Sequence, residues 1–202
     1  MTRVAVLVSG SGSNLQALLD KAGDAVEFAL VLSNKPEAYA LERAAKAGVP
    51  TTVARYEDFP DRMAFTRAIL ELMRANMVDL ICLAGFNRIL DPIIFDAFPM
   101  RMMNTHPALL PAFGGKGMYG HHVHEAVLAS GAKISGATVH FVIPETDRGP
   151  IILQEAAPVL DGDTAETLAE RVLAVEHRLY PEAVRLYAAG RLRVEGNRVR
   201  IK

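Results

Sequence analysis

Apolar runs and amphipathic stretches alternate along the first half of the chain. Three apolar runs are short enough to be strands: Val4–Val8, Val26–Leu32 and Val78–Ala84. A further short strand is predicted at Thr51–Val53. Three stretches between them repeat apolar residues at helical spacing: Leu15–Lys21, Ala38–Ala47 and Arg62–Ala75. Near-continuous apolar strands separated by helices are typical of a parallel sheet that helices cover on both faces.

The second half of the chain has a different pattern. Met102–Asn104 ends a short predicted strand, a Pro- and Gly-rich loop follows from 105 to 120, and His124–Ser130 is predicted to be helical. Lys133–Ile143 and Pro150–Val159 are then predicted to be two adjacent strands joined by a tight turn. Such a pair indicates an antiparallel C-terminal edge on the parallel sheet.

A long helix is predicted after these strands. Thr164 is expected to cap it, with Glu166 and Glu170 in its first turns, and Gly190 is expected to stop it after about Ala189. No change of composition, linker or internal repeat divides the chain. A single domain over residues 1–202 is therefore expected.

Polar residues follow three of the predicted strands. These segments are Ser9–Asn14, Gly85–Arg88 and Asn104–His106. Ligands of such sheets bind outside the carboxyl ends of the strands, where strand order reverses. We therefore expect all three segments to gather at one edge of the sheet and to form the functional site.

The composition limits the partners. With 22 basic and 23 acidic residues the formal net charge is -1, which gives no bulk attraction for nucleic acid or for an anionic membrane. Cys82 is the only cysteine and lies in an apolar run, so a buried thiol in a reducing compartment is expected. The first apolar run is far shorter than the roughly 18 residues that span a bilayer. These features predict a cytoplasmic protein with small-molecule partners.

The glycine-containing segment Ser9–Asn14 joins a predicted strand to a predicted helix. A dinucleotide fingerprint needs a third glycine, where this chain has Leu15, and an acid after the second strand, where residues 33–35 are Ser-Asn-Lys. A P-loop needs a lysine that is absent here. Two alternatives stay open: an anion cradle in which Ser13 and Asn14 cap the helix and donate hydrogen bonds, or a bare turn without a ligand.

Asn104 and His106 lie two residues apart at a strand end, so their side chains share one face of an extended chain. Asp147 lies in a polar turn after a neighbouring strand. Attack of an amine on a carbonyl carbon needs hydrogen-bond donors for the developing oxyanion and a base for the N–H proton. These three residue types suit that reaction, although an isolated histidine beside a proline is often structural.

Four segments of the sequence resemble a known family. They are Ser9–Gln16 (SGSGSNLQ), Leu83–Leu90 (LAGFNRIL), Asn104–Pro111 (NTHPALLP), and Thr138–Phe141 running on to Asp147. In this order they are similar to the folate-dependent phosphoribosylglycinamide formyltransferases of purine biosynthesis, over essentially the whole chain. The Asn-x-His-Pro with a downstream Asp marks the wider formyltransferase superfamily, and the SGSGSN opening is the narrower signal.

The resemblance implies a fold, a reaction and catalytic roles. The fold is α/β, with a Rossmann-like, mostly parallel sheet. The formyl group of 10-formyltetrahydrofolate passes to the amine of 5'-phosphoribosylglycinamide through a tetrahedral intermediate, without a metal. His106 and Asn104 would stabilise the oxyanion, and Asp147 would keep His106 protonated and relay protons through water. The alternatives are a formyltetrahydrofolate hydrolase and a non-catalytic phosphosugar-binding protein.

The resemblance also implies binding residues. On the ribonucleotide side these are Gly12, Ser13 and Asn14 for the phosphate, Gly85 close to the substrate, and Glu176 for the ribose. On the folate side they are Asn87, Arg88, Ile89, Leu90 and Asn104 near the pterin, and Arg62 near the benzoyl-glutamate end. The alternative for Arg62 and Glu176 is a solvated charge on a helix.

The chain departs from the family pattern at three places. Arg148 follows Asp147 where a small residue is common, and Asn87 replaces a frequent methionine. The loop of residues 113–120 is longer than in some relatives, and its glycines predict a mobile lid.

Four further histidines need an interpretation. His121, His122 and His124 do not have the spacing of a zinc site, so we interpret them as polar loop residues, with His122 beside the catalytic group. His140 is expected in the core or near the site. Either a monomer or a homodimer is compatible with the sequence.

Overall fold

The structure, a computed structural model, describes every residue from Met1 to Lys202, and its contacts divide the chain into two units, Met1–Met103 and Asn104–Lys202. The strands of the first unit are β1 (Thr2–Val8), β2 (Val26–Ser33), β3 (Thr51–Val53) and β4 (Leu80–Leu83). Its helices are α1 (Ser13–Lys21), α2 (Tyr39–Lys46), α3 (Arg62–Ala75) and α4 (Ile93–Ala97), and a single 3-10 turn covers Tyr56–Asp58.

The sheet of the first unit is parallel, with the strand order β3-β2-β1-β4. β1 is central: Val6 lies opposite Val31 of β2 on one side and opposite Cys82 of β4 on the other. Every residue from Val4 to Val8 is fully buried, which is why this strand has no polar alternation in sequence. The predicted parallel arrangement is confirmed.

Two short elements of the first unit were not predicted. The 3-10 turn has three residues and α4 has five, so neither is long enough to show a hydrophobic period. The longer α3 begins where predicted, because the carboxylate of Asp61 accepts a hydrogen bond from the Ala64 N–H at 2.7 Å and caps the helix.

The second unit holds most of strand β5 (Met102–His106) and all later elements. Its other strands are β6 (Ile134–Phe141), β7 (Ile151–Pro158), β8 (Leu192–Glu195) and β9 (Arg198–Ile201), and its helices are α5 (His121–Ala129) and α6 (Ala165–Ala188). The strand order is β5-β6-β7-β9-β8, in which β6 pairs antiparallel with β7 and β8 pairs antiparallel with β9. This confirms an α/β fold with a mostly parallel sheet and antiparallel C-terminal strands.

Helix α6 packs on β6 and β7. It begins with a reciprocal capping box, in which the Thr167 N–H donates to Thr164 Oγ1 at 3.3 Å and the Thr164 N–H donates to Thr167 Oγ1 at 3.0 Å. Gly190, with φ of 66°, follows its C-terminal end. Both predicted ends of this helix are confirmed, and no helix of the protein is long and apolar enough to cross a membrane.

The second unit differs from the predictions at the end of β5, at the start of α5 and in a C-terminal hairpin. β5 continues to His106 instead of ending at Asn104, and α5 begins at His121, three residues before the predicted start. The hairpin of β8 and β9 was not predicted. Its strands have four residues each and are joined at Gly196, which has φ of 60°, so its pattern is short and half-exposed.

Candidate active site

The loop between β1 and α1 is shaped by Gly12. This residue has φ of 73°, and a Cβ on it would lie 2.6 Å from the Cβ of Ala40, so only glycine fits. Gly12 is also the N-cap of α1, which no side chain caps. The prediction that Ser13 and Asn14 cap the helix is therefore wrong, because they are its first two residues. A helix N-terminus without a side-chain cap is well suited to an anion.

We expect Gly12→Ala to damage both the loop and anion binding. The left-handed backbone and the contact with Ala40 should lower the free energy of unfolding by about 1–3 kcal/mol. Ribose 5-phosphate should bind much more weakly to the variant in calorimetric titration. Gly10→Ala is the matched control, because no atom lies within 4 Å of a Cβ at Gly10 and its φ is not positive. Equal losses in the two variants would contradict this account.

A hydrogen-bond network joins the ends of β1, β2 and β4. Ser9 Oγ donates to Asn34 Oδ1 and accepts from the Asn87 N–H at 2.9 Å, and Asn34 Nδ2 donates to Asn87 Oδ1 at 3.0 Å. The predicted meeting of Ser9–Asn14 with Gly85–Arg88 is thereby confirmed. The network also gives a physical reason for asparagine at position 87, since a methionine side chain cannot accept the bond from Asn34 in this way.

Arg88 and Arg62 are each held by an acid. The guanidinium of Arg88 lies 4.8 Å from the ring centre of Tyr56 and donates to Glu57 Oε1 at 2.9 Å, so the unpredicted 3-10 turn positions it. Arg62 Nη2 lies 3.5 Å from Asp91 Oδ2. Both cations remain partly exposed, with 37% of the Arg88 and 48% of the Arg62 side chain accessible. Each therefore keeps donors for an anionic ligand.

The other residues of this segment differ in exposure. Ile89 is 71% exposed, whereas Leu90 is 6% exposed and belongs to the core. Gly85 has φ of 72° and open space where a Cβ would stand. Ile89 therefore presents the apolar surface of the segment, and a folate contact of the Leu90 side chain stays a prediction.

Strand β5 turns its residues alternately to two faces. Thr105 Oγ1 donates to Glu176 Oε1 of α6 at 3.0 Å, and both side chains are buried. Asn104 and His106 point to the opposite face, as their spacing predicts. Glu176 thus contacts β5 from the other side, and its role toward a ribose stays a prediction. The position of Asn104–His106 relative to the polar segments of the first unit also stays a prediction.

Four side chains meet on the Asn104 and His106 face. His106 Nδ1 lies 3.7 Å from Asp147 Oδ2, and His140 Nε2 lies 3.8 Å from Asp147 Oδ1. Asn104 Nδ2 lies 3.5 Å from His140 Nε2. The side chains of His106, His140 and Asp147 are at most 10% exposed. The structure therefore brings Asn104, His106 and Asp147 together, and His140 is both in the core and at the site, as expected.

Burial lowers the pKa of His140, and its hydrogen bonds define the tautomer of the neutral ring. Burial, the largest influence, and the nearby His106 lower the pKa of His140, while its bond to the Phe141 carbonyl and the charge of Asp147 act in the opposite direction. In the neutral ring, Nδ1–H donates to Phe141 O at 2.9 Å. Nε2 is then an acceptor, and the Asn104 amide donates to it. His140 thereby orients the amide of Asn104.

The loop after β5 covers His106 and Asp147. His106 Nε2 meets the carbonyl oxygen of Phe113 at 2.8 Å, and the Gly115 N–H donates to Asp147 Oδ2 at 2.9 Å. A Cβ on Gly114 would lie 3.2 Å from the Cβ of Asp147 and closer still to Leu110. Asp147 itself has φ of 57°, a backbone region that Asp tolerates better than most residues. Both ring nitrogens of His106 therefore face oxygen acceptors.

The three histidines near the start of α5 have different surroundings. His121 Nε2 lies 3.4 Å from Glu166 Oε1, and His122 Nδ1 lies 3.2 Å from Glu125 Oε2; both histidine side chains are exposed. His122 lies with Glu125 at the surface, whereas the buried His124 interacts electrostatically with His106. No group of three or more histidine, cysteine, aspartate or glutamate side chains could hold a metal ion.

We expect His124 to make the protein less stable in acid. Burial first, then the charges of His121 and His106, lower the pKa of His124. The unfolded chain binds this proton more readily, so the free energy of unfolding should decrease as pH falls below about 6.5. In His124→Leu the decrease, measured by urea unfolding at each pH, should be shallower than in the parent protein. Equal slopes would show that His124 does not contribute.

Sequence reasoning missed the groups that hold the predicted residues. Tyr56 and Glu57 position Arg88, and the Phe113 carbonyl and the Gly115 N–H hold His106 and Asp147. An aromatic residue beside an acid, Tyr56-Glu57, was the only signal for the first pair. Backbone groups of a loop leave no signal in the sequence.

Comparison with known proteins gives consistent matches. The model of the formyl transferase family matches residues 2–184. The phosphoribosylglycinamide formyltransferase of Mycobacterium tuberculosis is 46% identical over 195 residues, which are 96% of this chain and 88% of that protein. The trifunctional purine biosynthetic protein adenosine-3 of Bos taurus is also 46% identical, over 96% of this chain, but the chain spans only 19% of that relative's length.

Solved structures agree with these relatives. The crystal structure of glycinamide ribonucleotide transformylase 1 from Symbiobacterium toebii has a TM-score of 0.94 and 50% identity, and the match covers 100% of this chain and 94% of that one. The phosphoribosylglycinamide formyltransferase from Anaplasma phagocytophilum has a TM-score of 0.91 and 40% identity, over 100% of this chain and 94% of that one. The chain belongs to the formyl transferase family, in its phosphoribosylglycinamide formyltransferase branch.

Proposed function

We propose that this protein transfers the formyl group of 10-formyltetrahydrofolate to the amine of 5'-phosphoribosylglycinamide, a reaction of purine biosynthesis. The observation that carries the proposal is the buried cluster of Asn104, His106, His140 and Asp147. Its donors and its carboxylate suit amine attack on a carbonyl carbon. Family membership supports the same substrates.

The reaction exchanges one carbon–nitrogen bond for another. The substrate amine attacks the formyl carbon, and the carbonyl electron pair moves to the oxygen, which becomes an oxyanion. The tetrahedral intermediate collapses by breaking the bond to N10 of the folate. One proton leaves the attacking nitrogen and one proton reaches N10, so the sum of protons is unchanged.

Asn104 and His106 are the proposed donors to the oxyanion. The Asn104 amide has two N–H bonds, and His140 accepts one of them. The other N–H is available for the formyl oxygen. His106 Nε2 contacts the Phe113 carbonyl at 2.8 Å, and we propose that the formyl oxygen replaces this acceptor. Fixed donors of this kind stabilise charge that develops only in the transition state.

Asp147 is the proposed proton relay. Its carboxylate lies between His106 and His140, at 3.7 Å and 3.8 Å from their nearest ring nitrogens. These separations exceed a direct hydrogen bond, and water is the natural bridge. The amine proton would pass through water to this carboxylate.

The first unit supplies the proposed binding groups. Gly12, Ser13 and Asn14 would bind the monophosphate at the uncapped start of α1. Arg62 would bind the benzoyl-glutamate end of the folate, since it keeps exposed donors beside Asp91. Arg88, which also keeps exposed donors beside one acid, would lie near the pterin. The exposed Ile89 would contact the pterin.

A two-substrate assay tests the proposal. We expect the purified protein to release tetrahydrofolate from 10-formyltetrahydrofolate only when phosphoribosylglycinamide is present, with one formylated product per folate released. Equal turnover with water alone would identify a hydrolase instead. Binding of the ribonucleotide without any turnover would identify a phosphosugar-binding protein.

The organisation of the protein is part of the proposal. We propose that residues 1–202 form a single formyltransferase domain that acts in the cytoplasm as a monomer or homodimer, with the two small molecules as its partners. Light scattering during size-exclusion chromatography measures the mass directly, and the expected values are one or two copies of a 21.9 kDa chain.

A further inference from the structure

We propose that Arg43 of α2 is a positioning residue for the glycine loop, and that it sets the direction in which the Gly12 N–H points. This inference rests on the proposed function of that loop as the phosphate site. No motif of the sequence singled out Arg43. The side-chain contacts of Arg43 connect α2 with the glycine loop and with the first turn of α1.

The side chain of Arg43 makes two hydrogen bonds and stacks on an aromatic ring. Its Nε donates to the carbonyl oxygen of Ser11 at 2.8 Å, and its Nη1 donates to Gln16 Oε1 at 3.2 Å. The ring centre of Tyr39 lies 5.0 Å from the guanidinium carbon. A guanidinium that is stacked and doubly bonded has a fixed plane and little freedom to follow a ligand. Its position is therefore set by protein groups before any substrate arrives.

The bond to Ser11 O determines the orientation of one peptide group. The Ser11 carbonyl and the Gly12 N–H belong to the same planar trans peptide, in which they point in opposite directions. With the carbonyl held against Arg43, the Gly12 N–H must point away from that guanidinium.

A second contact fixes the preceding part of the loop. The Ala40 N–H of α2 donates to Gly10 O at 3.1 Å, and Ala40 packs so closely on Gly12 that no Cβ fits there. The loop thus contacts α2 at three consecutive residues, Gly10, Ser11 and Gly12. Ala40 supplies the shape, and Arg43 supplies a side-chain hydrogen bond to the Ser11 carbonyl.

The proposal predicts a specific kinetic signature. A phosphate far from the reacting carbon is bound equally in the ground state and the transition state, so a weakened phosphate site raises KM and leaves kcat unchanged. Loss of one charge-assisted hydrogen bond corresponds to about a tenfold change in binding. We therefore expect about a tenfold higher KM for phosphoribosylglycinamide, and kcat within about twofold of the parent protein.

The experiment compares Arg43→Met, Arg43→Lys and Lys46→Met in the full chain. Lys46 is the matched control, because its Nζ also lies over the Tyr39 ring, at 5.5 Å, but makes no hydrogen bond to the loop. Both Arg43 variants should bind ribose 5-phosphate about tenfold more weakly in calorimetric titration. Lys46→Met should bind it within about twofold of the parent protein. Thermal unfolding of each variant checks that the fold is retained.

Each result decides the proposal. If Arg43→Lys binds ribose 5-phosphate as the parent does, charge rather than peptide orientation matters, and the proposal is overturned. Parent-like binding by Arg43→Met, or a loss of kcat at constant KM, overturns it as well. Absence of formyl transfer in the parent protein would remove the proposed function alone, because the ribose 5-phosphate titrations would still test Arg43.

Discussion

Replacing His106 with alanine should lower kcat about a thousandfold, while ribose 5-phosphate binds within about threefold of its affinity for the parent protein. The imidazole is buried and has oxygen acceptors at both nitrogens, Phe113 O at 2.8 Å and Asp147 Oδ2 at 3.7 Å. We propose that the imidazole donates a hydrogen bond to the oxyanion, which exists only near the transition state. Steady-state kinetics with both substrates and a separate titration measure the two effects.

Two further variants make this result interpretable. His122→Ala removes the same residue type from an exposed position, where the ring contacts Glu125 and Tyr119, and it should retain parental kcat. His106→Gln can place an amide N–H near the position of Nε2, so it keeps a donor for the Phe113 carbonyl and controls for a purely structural loss. If His106→Ala kept parental turnover with a stable fold, the proposed mechanism would be wrong.

The buried strands were predictable because a parallel strand covered on both faces has no polar alternation. Val4–Val8 is fully buried, and its apolar run in sequence had no other simple explanation. The end of β5 was not predictable in this way. Thr105 and His106 are polar, and they continue the strand because α6 supplies Glu176 to the hydroxyl and a distant turn supplies Asp147 to the ring. Partners so far along the chain are invisible to a local pattern.

In the candidate site, too, some features were predictable from the sequence and others were not. The spacing of Asn104 and His106 placed them on one face, and the geometry confirms this. The groups that fix their orientation are a neutral His140 and the Phe113 carbonyl. The state of His140 depends on burial, and the Phe113 contact depends on backbone conformation with φ of 53°. Neither property follows from residue type, so the sequence could name the reacting side chains but not what holds them.

For the glycine loop, part of the structure was predictable from the sequence and part was not. The sequence left two alternatives open: an anion cradle in which Ser13 and Asn14 cap the helix, or a bare turn. In the structure the N-cap is Gly12, and its close contact with Ala40 requires a residue without a Cβ. The N-cap of α1 therefore provides no side-chain hydrogen bond, which is compatible with the anion cradle.

Changing Asp147 to asparagine should lower kcat by about a hundredfold or more, with little change in the free energy of unfolding. Asparagine has the same shape, tolerates the left-handed backbone at φ of 57°, and its amide oxygen can still accept from the Gly115 N–H. Only the charge is lost. Without it, the amine proton loses its acceptor.

The same substitution has a spectroscopic consequence at His140. The charge of Asp147 is one of the influences that raise the pKa of this ring against the larger effect of burial. In Asp147→Asn the pKa of His140 should therefore fall further, which NMR titration of the ring protons measures. Asp161→Asn is the control, because this carboxylate is 96% exposed and pairs only with Lys133. A full loss of turnover in Asp161→Asn, or parental turnover in Asp147→Asn, would contradict the assignment of the proton relay.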